Sequence, residues 1–179
     1  MENRKTTNQE AISIDFSVEV YEVLYKFLLE LLKDKEFKEI SKKKKEKNYF
    51  VANEYCSFYG NEENIHKKIK QNIIAFIEKL NLHFSTVIIG FYYVDIILGK
   101  EKNLLCRDSI EMLILTCLTL AHKFNEDDDG NKKHYSEISG ISNYRFYALE
   151  AITLMKLDYR CYVKRSIFLK YCEIIDKII

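Results

Sequence analysis

Asn125, Asp127, Asp129 and Gly130 fall at positions one, three, five and six of a calcium-binding loop, the clearest metal-like spacing in the 179-residue chain. The match stops there: position twelve, where a bidentate glutamate belongs, is Ser136, and the first ligand would be an amide. A solvated acidic turn explains the same residues, and no metal is expected. His66, His83, His122 and His134 show no H-E-x-x-H spacing and no close Cys/His clustering, so a zinc site would have to be assembled from distant segments. His122, near a helix end, is expected to have a partly exposed structural role. No glycine-rich phosphate loop, serine elbow or dinucleotide fingerprint occurs. The residues therefore assign no catalytic group, no cofactor and no small-molecule substrate.

One charge is more informative. On a helix through 143–157, Glu150 has Phe146, Tyr147, Leu154 and Leu157 at i−4, i−3, i+4 and i+7, with Arg145 and Lys156 on the opposite side. A carboxylate on an apolar face is costly unless a cation or a partner protein's donors satisfy it. Lys123 is the candidate cation. By periodicity alone, a second reading leaves both as ordinary exposed residues near helix ends.

The element that must position Lys123 is the run over 108–124, the most apolar helix-compatible stretch of the chain. Its apolar residues are not confined to one stripe, and a helix apolar nearly all round is normally buried. Asp108 is expected to cap it, with Glu111 completing a box-like arrangement. One side is less apolar: Ser109, Met112, Thr116, Thr119 and Lys123 share a seam at helical spacing, expected to face a partner.

The remaining pattern is helical as well. An amphipathic helix begins at Ser17, with Val20, Leu24, Phe27, Leu28, Leu31 and Leu32 near one face. The charge run over 41–47 reads as a solvated loop, or else as a localisation or phosphate-contacting patch. A stripe of Ile65, Ile69, Ile73, Phe76, Ile77 and Leu80 ends at the break over 81–83. Ser85 opens a second helix, in which Gly90 implies a close helix contact and Gly99 marks the end. One helical turn fits around Tyr135, Ser142 caps the helix that carries Glu150, and a last amphipathic segment starts at Lys164. No strand alternation of useful length appears, so the fold class is all-α, with short connections suited to a bundle.

Composition sets the outer bounds. A hydrophobic content of 47% permits one sizeable core. With 28 basic against 27 acidic residues, the net charge of +1 gives no global field for nucleic acid or anionic membrane. Five cysteines, without C-x-x-C spacing and mostly inside apolar patterns, fit buried free thiols in a reducing compartment. The N-terminus has no apolar signal core, so an intracellular protein, cytoplasmic or nuclear, is expected.

Three pieces, FYYVDIIL, LTCLTLAHKFNED and YSEISGISNYRFYALEAITLMKLDYRCYV, followed by a helix beginning KRSIF, resemble in order and spacing a cyclin box. The likeness is to single-box cyclins of the fungal phosphate-signalling type, the plant P/U type and cyclin Y. It implies a five-helix cyclin box over 65–179 whose third helix is the central one; the residue pattern before it reads as a flexible tail over 1–16 and an N-terminal helix with a basic and aromatic linker over 17–64. It also implies a regulatory subunit, not an enzyme, which binds a cyclin-dependent protein kinase and holds the kinase's regulatory helix in its active position. By the same likeness Lys123 and Glu150 contact that kinase helix; Met112, Thr116 and Thr119 of the seam, with Phe124 and Phe168 from the apolar parts of the third and last helices, are expected to complete the kinase-binding surface. Where the family usually has proline and acidic residues after the "YV", this chain has Lys164 and Arg165. A non-activating cyclin-fold adaptor, or a transcription-factor-like module, is the competing reading, since a fold does not fix a function.

Overall fold

The computed structural model describes Tyr55, residues 65–101, Leu104, residues 109–126 and residues 134–176. The expected helix beginning at Ser17, the basic run over 41–47, Asp108, Cys56, Cys106 and the acidic turn after Glu126 lie outside these residues.

Six helices are described: α1 (Ile65–Lys79), α2 (Phe84–Lys100), α3 (Ile110–Asn125), α4 (His134–Ser139), α5 (Asn143–Lys156) and α6 (Arg165–Asp176). No strand occurs among the described residues. The third of them is the centre, as its all-round apolarity implied: every residue of α3 from Ile110 to His122 is buried. Helices α1, α2 and α5 pack around it, and α6 lies on α2.

The closest approach is between α2 and α3. A Cβ placed on Gly90 would stand 2.8 Å from Leu118 Cδ2 and 3.2 Å from Leu118 Cα, so glycine is there for lack of room. On the opposite flank Asn72 of α1 donates to Glu111 Oε1 at 2.8 Å. This corrects the expected capping box: Glu111 is only 4% exposed and turns into the α1–α3 seam, while Ser109 takes the cap position without a side-chain bond to the helix amides.

Helix ends follow local chemistry. After α1, Asn81 adopts φ 48°, with Leu82 N donating to Ile77 O and Asn81 N to Glu78 O; this is the paired-bond helix stop that a left-handed residue permits. Gly140 (φ 69°) serves α4 in the same way, with Ile141 N donating to Ser136 O. Ser142 caps α5 as expected, its hydroxyl accepting from Arg145 N at 3.4 Å. Two expected boundaries shift. Helix α2 starts at Phe84 rather than Ser85 and continues past Gly99 to Lys100, whose ammonium donates to Lys156 O and Asp158 Oδ2 at the end of α5.

Buried polar groups in the core are mostly satisfied locally. Thr116 and Thr119 donate to the carbonyls of Met112 and Leu115, and Thr153 to that of Leu149. Tyr55, fully buried, shares a 2.7 Å hydrogen bond with Thr153. Cys117 and Cys161 are buried free thiols, and burial raises both above the ordinary thiol range. Cys172 is half-buried.

Candidate functional site

Lys123 leaves α3 in its last turn, where the exposed carbonyls of the helix end favour a cation. Glu150 faces it from the middle of α5. The ammonium reaches both carboxylate oxygens, at 2.7 Å and 2.6 Å, so the helix carrying the central core and the helix packed on it are joined at their open edge. The two side chains remain 25% and 17% exposed: sheltered enough to be held, open enough to meet another molecule. This is the internal cation that Glu150's apolar surroundings demanded.

Aromatic rings fix the lysine from two sides. Its Nζ lies 5.4 Å from the Tyr135 ring centre and 5.8 Å from that of Tyr147, within the range of cation–π attraction. Tyr135 is itself locked: it stacks on Phe146 at 6.0 Å with a 9° interplanar angle, and its hydroxyl meets His122 Nδ1 at 2.6 Å. His122 is therefore buried, not partly exposed, and its Nε2 lies 3.3 Å from Glu126 Oε2. The other oxygen of Glu126 accepts from His83 N at the start of α2. Short α4 exists in this arrangement to bring Tyr135 under the lysine.

The outer border of the pair is apolar. Phe124 is 55% exposed and Tyr147 52%, and along α5 Tyr144, Ala151 and Met155 continue the exposed side at helical spacing. The inner side of α5 is Phe146, Leu149 and Thr153, all buried. Tyr144, Tyr135 and Met155 were not singled out from sequence, although a helix apolar on both faces carries more apolar surface than one core can bury.

The other expected site residues are placed differently. Met112, Thr116 and Thr119 are buried, so the semi-polar seam is not a surface of this chain. They share the Lys123 side of α3 at helical spacing, and that side is turned toward α5, where threonine is small enough for close packing once its hydroxyl bonds to its own helix. Phe168 is set apart from the ion pair. It lies in the α2–α6 seam, packed with Ile88, beside Phe84, Tyr171 and Cys172. Asn125 bonds back to Ala121 O, and the described residues hold no group of three or more metal-ligating side chains. No described helix is long and apolar enough to cross a membrane.

Residues 35–162 match the family model described as the N-terminal domain of cyclins. The chain belongs to the cyclin family. Among curated cyclins, it is 29% identical over 91 residues to Cyclin-U1-1 of Arabidopsis thaliana, covering 50% of this chain and 43% of that protein. It is 27% identical over 105 residues to Cyclin-U4-3 of the same plant, covering 58% and 48%. With the G1/S-specific cyclin pas1 of Schizosaccharomyces pombe it shares 26% identity over 116 residues, 61% of this chain and 28% of that one. The match thus spans about half or less of each of these cyclins.

Proposed function

We propose that this cyclin is a non-catalytic regulatory subunit that binds a cyclin-dependent protein kinase through the α3–α5 edge and holds the kinase's regulatory helix in its active position. The observation that carries the proposal is the Lys123–Glu150 pair, bonded at 2.6–2.7 Å, partly open, and bordered by exposed Phe124, Tyr144, Tyr147 and Met155. Apolar surface supplies burial on association, whereas a fixed polar pair at its centre supplies orientation. Each carboxylate oxygen keeps acceptor capacity and the ammonium keeps a third donor, so the pair can bond to a partner helix without being broken.

The mechanism needs no reacting group on this chain. A kinase orients phosphates only when the glutamate of its regulatory helix pairs with its strand lysine, and a protein that binds the inward position of that helix more tightly raises that state's population. Met112, Thr116 and Thr119 would serve from beneath, keeping α5 close to α3 so that Glu150 stays over Lys123. The test is a purified cyclin-dependent kinase assayed with and without the chain. Activity should rise with added protein and saturate. Tight binding without activation would instead make the chain an adaptor, and no binding to any kinase of that class would overturn the proposal.

A further inference from the structure

Helix α6 is held less firmly than the helices that enclose the core. From Arg165 to Ile174 none of its residues is buried, whereas α3 is buried from Ile110 to His122 and α5 buries Phe146, Leu149 and Thr153. Its inner side, Ile167, Phe168, Tyr171 and Cys172, is half-buried, and Leu169 and Ile174 each stand 48% exposed. The contacts it makes gather in a small apolar cluster of their own, in which Phe168, Tyr171 and Cys172 pack on Ile88 of α2 beside Phe84; of these, Phe168 also reaches the main core. A helix with so few buried apolar contacts opens at a lower free energy than one enclosed on all sides.

A polar contact closes the seam. In the second half of α6, Tyr171 Oη donates to Asp95 Oδ2 at 2.5 Å, and the Tyr171 ring stands edge-on to Tyr92, 5.5 Å between centres at 87°. A bond from a hydroxyl to a carboxylate is stronger than one between neutral groups. Both partners lie near the surface, so water can take over donor and acceptor when the bond breaks, and opening strands no buried polar group. The other end of the helix is anchored. Buried Cys161 has its carbonyl bonded by the Tyr93 hydroxyl at 2.5 Å, and half-buried Val163 packs against the main core just before Lys164 leads into α6. Helix α6 thus has a fixed pivot at its start and a tie part-way along.

We propose that α6 is a strap that swings off α2 as a unit while the rest of the bundle stays folded, with the Asp95–Tyr171 bond as its latch. Opening uncovers Phe84, Ile88 and Tyr92, an apolar strip of α2 that the closed strap covers. Closure is favoured by that strip and by the latch together, so loss of the latch shifts the population toward the open state. The Lys123–Glu150 edge is built from α3, α4 and α5, and the strap does not rest on the kinase reading.

The test is native-state hydrogen exchange of the full chain, read by mass spectrometry of peptic fragments, for the parent, Tyr171→Phe, Asp95→Asn and Tyr55→Phe. In the parent, α6 amides should exchange at least about ten-fold faster than the slowest amides of α3, and their rate should be nearly insensitive to urea below the unfolding transition. Tyr171→Phe keeps the ring on Tyr92 and removes the donor, while Asp95→Asn removes the charged acceptor; each should speed α6 exchange by about five- to ten-fold. Because both remove one and the same bond, the double variant should exchange little faster than either single one. Tyr55→Phe weakens a bond to α5 that the open state retains, so it should speed the slowest amides of α3 and leave α6 at the parent rate. Exchange of α6 that shares the urea dependence of α3 overturns the proposal, since the helix would then open with the whole fold. So does faster α6 exchange in Tyr55→Phe, or parent-like α6 exchange in both latch variants.

Discussion

Replacing Glu111 with glutamine should stabilise this protein near neutral pH and have little effect in mild acid. Glu111 is 4% exposed; Asn72 satisfies one carboxylate oxygen and Oε2 has no hydrogen-bond partner. Burial without a cation raises its pKa from 4.5 to about 7. The acid is thus more readily protonated in the folded chain than in the unfolded one. Stability from the protonated form is fully present below about pH 4.5 and is lost as pH rises to about 7, because the unfolded chain ionises first. A rise of about 2.5 pH units corresponds to about 3 kcal/mol lost across that window. Glu111→Gln keeps the acceptor for Asn72 and removes the ionisation. Thermal unfolding followed by circular dichroism should then show the variant melting about 6–12 °C above the parent at about pH 8, and within a few degrees of it at about pH 5. Taking parent minus variant cancels the titration of every other group. A variant that melts at or below the parent at about pH 8, or a difference that does not change with pH, would refute the assignment of an uncompensated buried carboxylate.

Two further substitutions probe the packing that positions the site. Gly90→Ala puts a methyl group 2.8 Å from Leu118 Cδ2 and 3.2 Å from its Cα; overpacking of about 1–3 kcal/mol outweighs a gain of about 1 kcal/mol in helix propensity, so the thermal midpoint should fall by a few degrees. A rise in the midpoint would show that α2 and α3 can separate freely. Tyr55→Phe removes the hydroxyl bonded to Thr153 but leaves the Thr153 bond to Leu149 O, so urea denaturation should show a loss of about 1 kcal/mol with an unchanged slope.

Patterning made the central helix legible, because a run apolar on all sides has nowhere to go but the core. Glu150 was legible for a related reason: a carboxylate among Phe146, Tyr147, Leu154 and Leu157 must find a cation, and the structure supplies Lys123. The seam of Met112, Thr116 and Thr119 misled because threonine reads as polar in sequence, yet its hydroxyl is satisfied by the carbonyl four residues back and its methyl packs like alanine's. Tyr135 was invisible as a site residue. It sits on a six-residue helix after a polar turn, and its value lies in long-range contacts to His122, Phe146 and Lys123 that no local period encodes. Phe168 came only from the family likeness, and the α2–α6 seam that holds it depends on which way α6 folds back. Glu111 was read as a cap from spacing alone, whereas its partner Asn72 lies on another helix.

The most direct test of the proposed kinase-binding edge is calorimetric titration of a cyclin-dependent kinase that the chain activates, using the parent, Lys123→Ala and Glu150→Ala. Each variant removes one half of a pair held at 2.6–2.7 Å and leaves the other half to be desolvated alone by the partner. Each should weaken binding by about ten-fold or more, and the double variant should lose less than the two single losses combined. Parent-like affinity in both single variants, with their fold intact by circular dichroism, would contradict the claim that this edge holds the kinase.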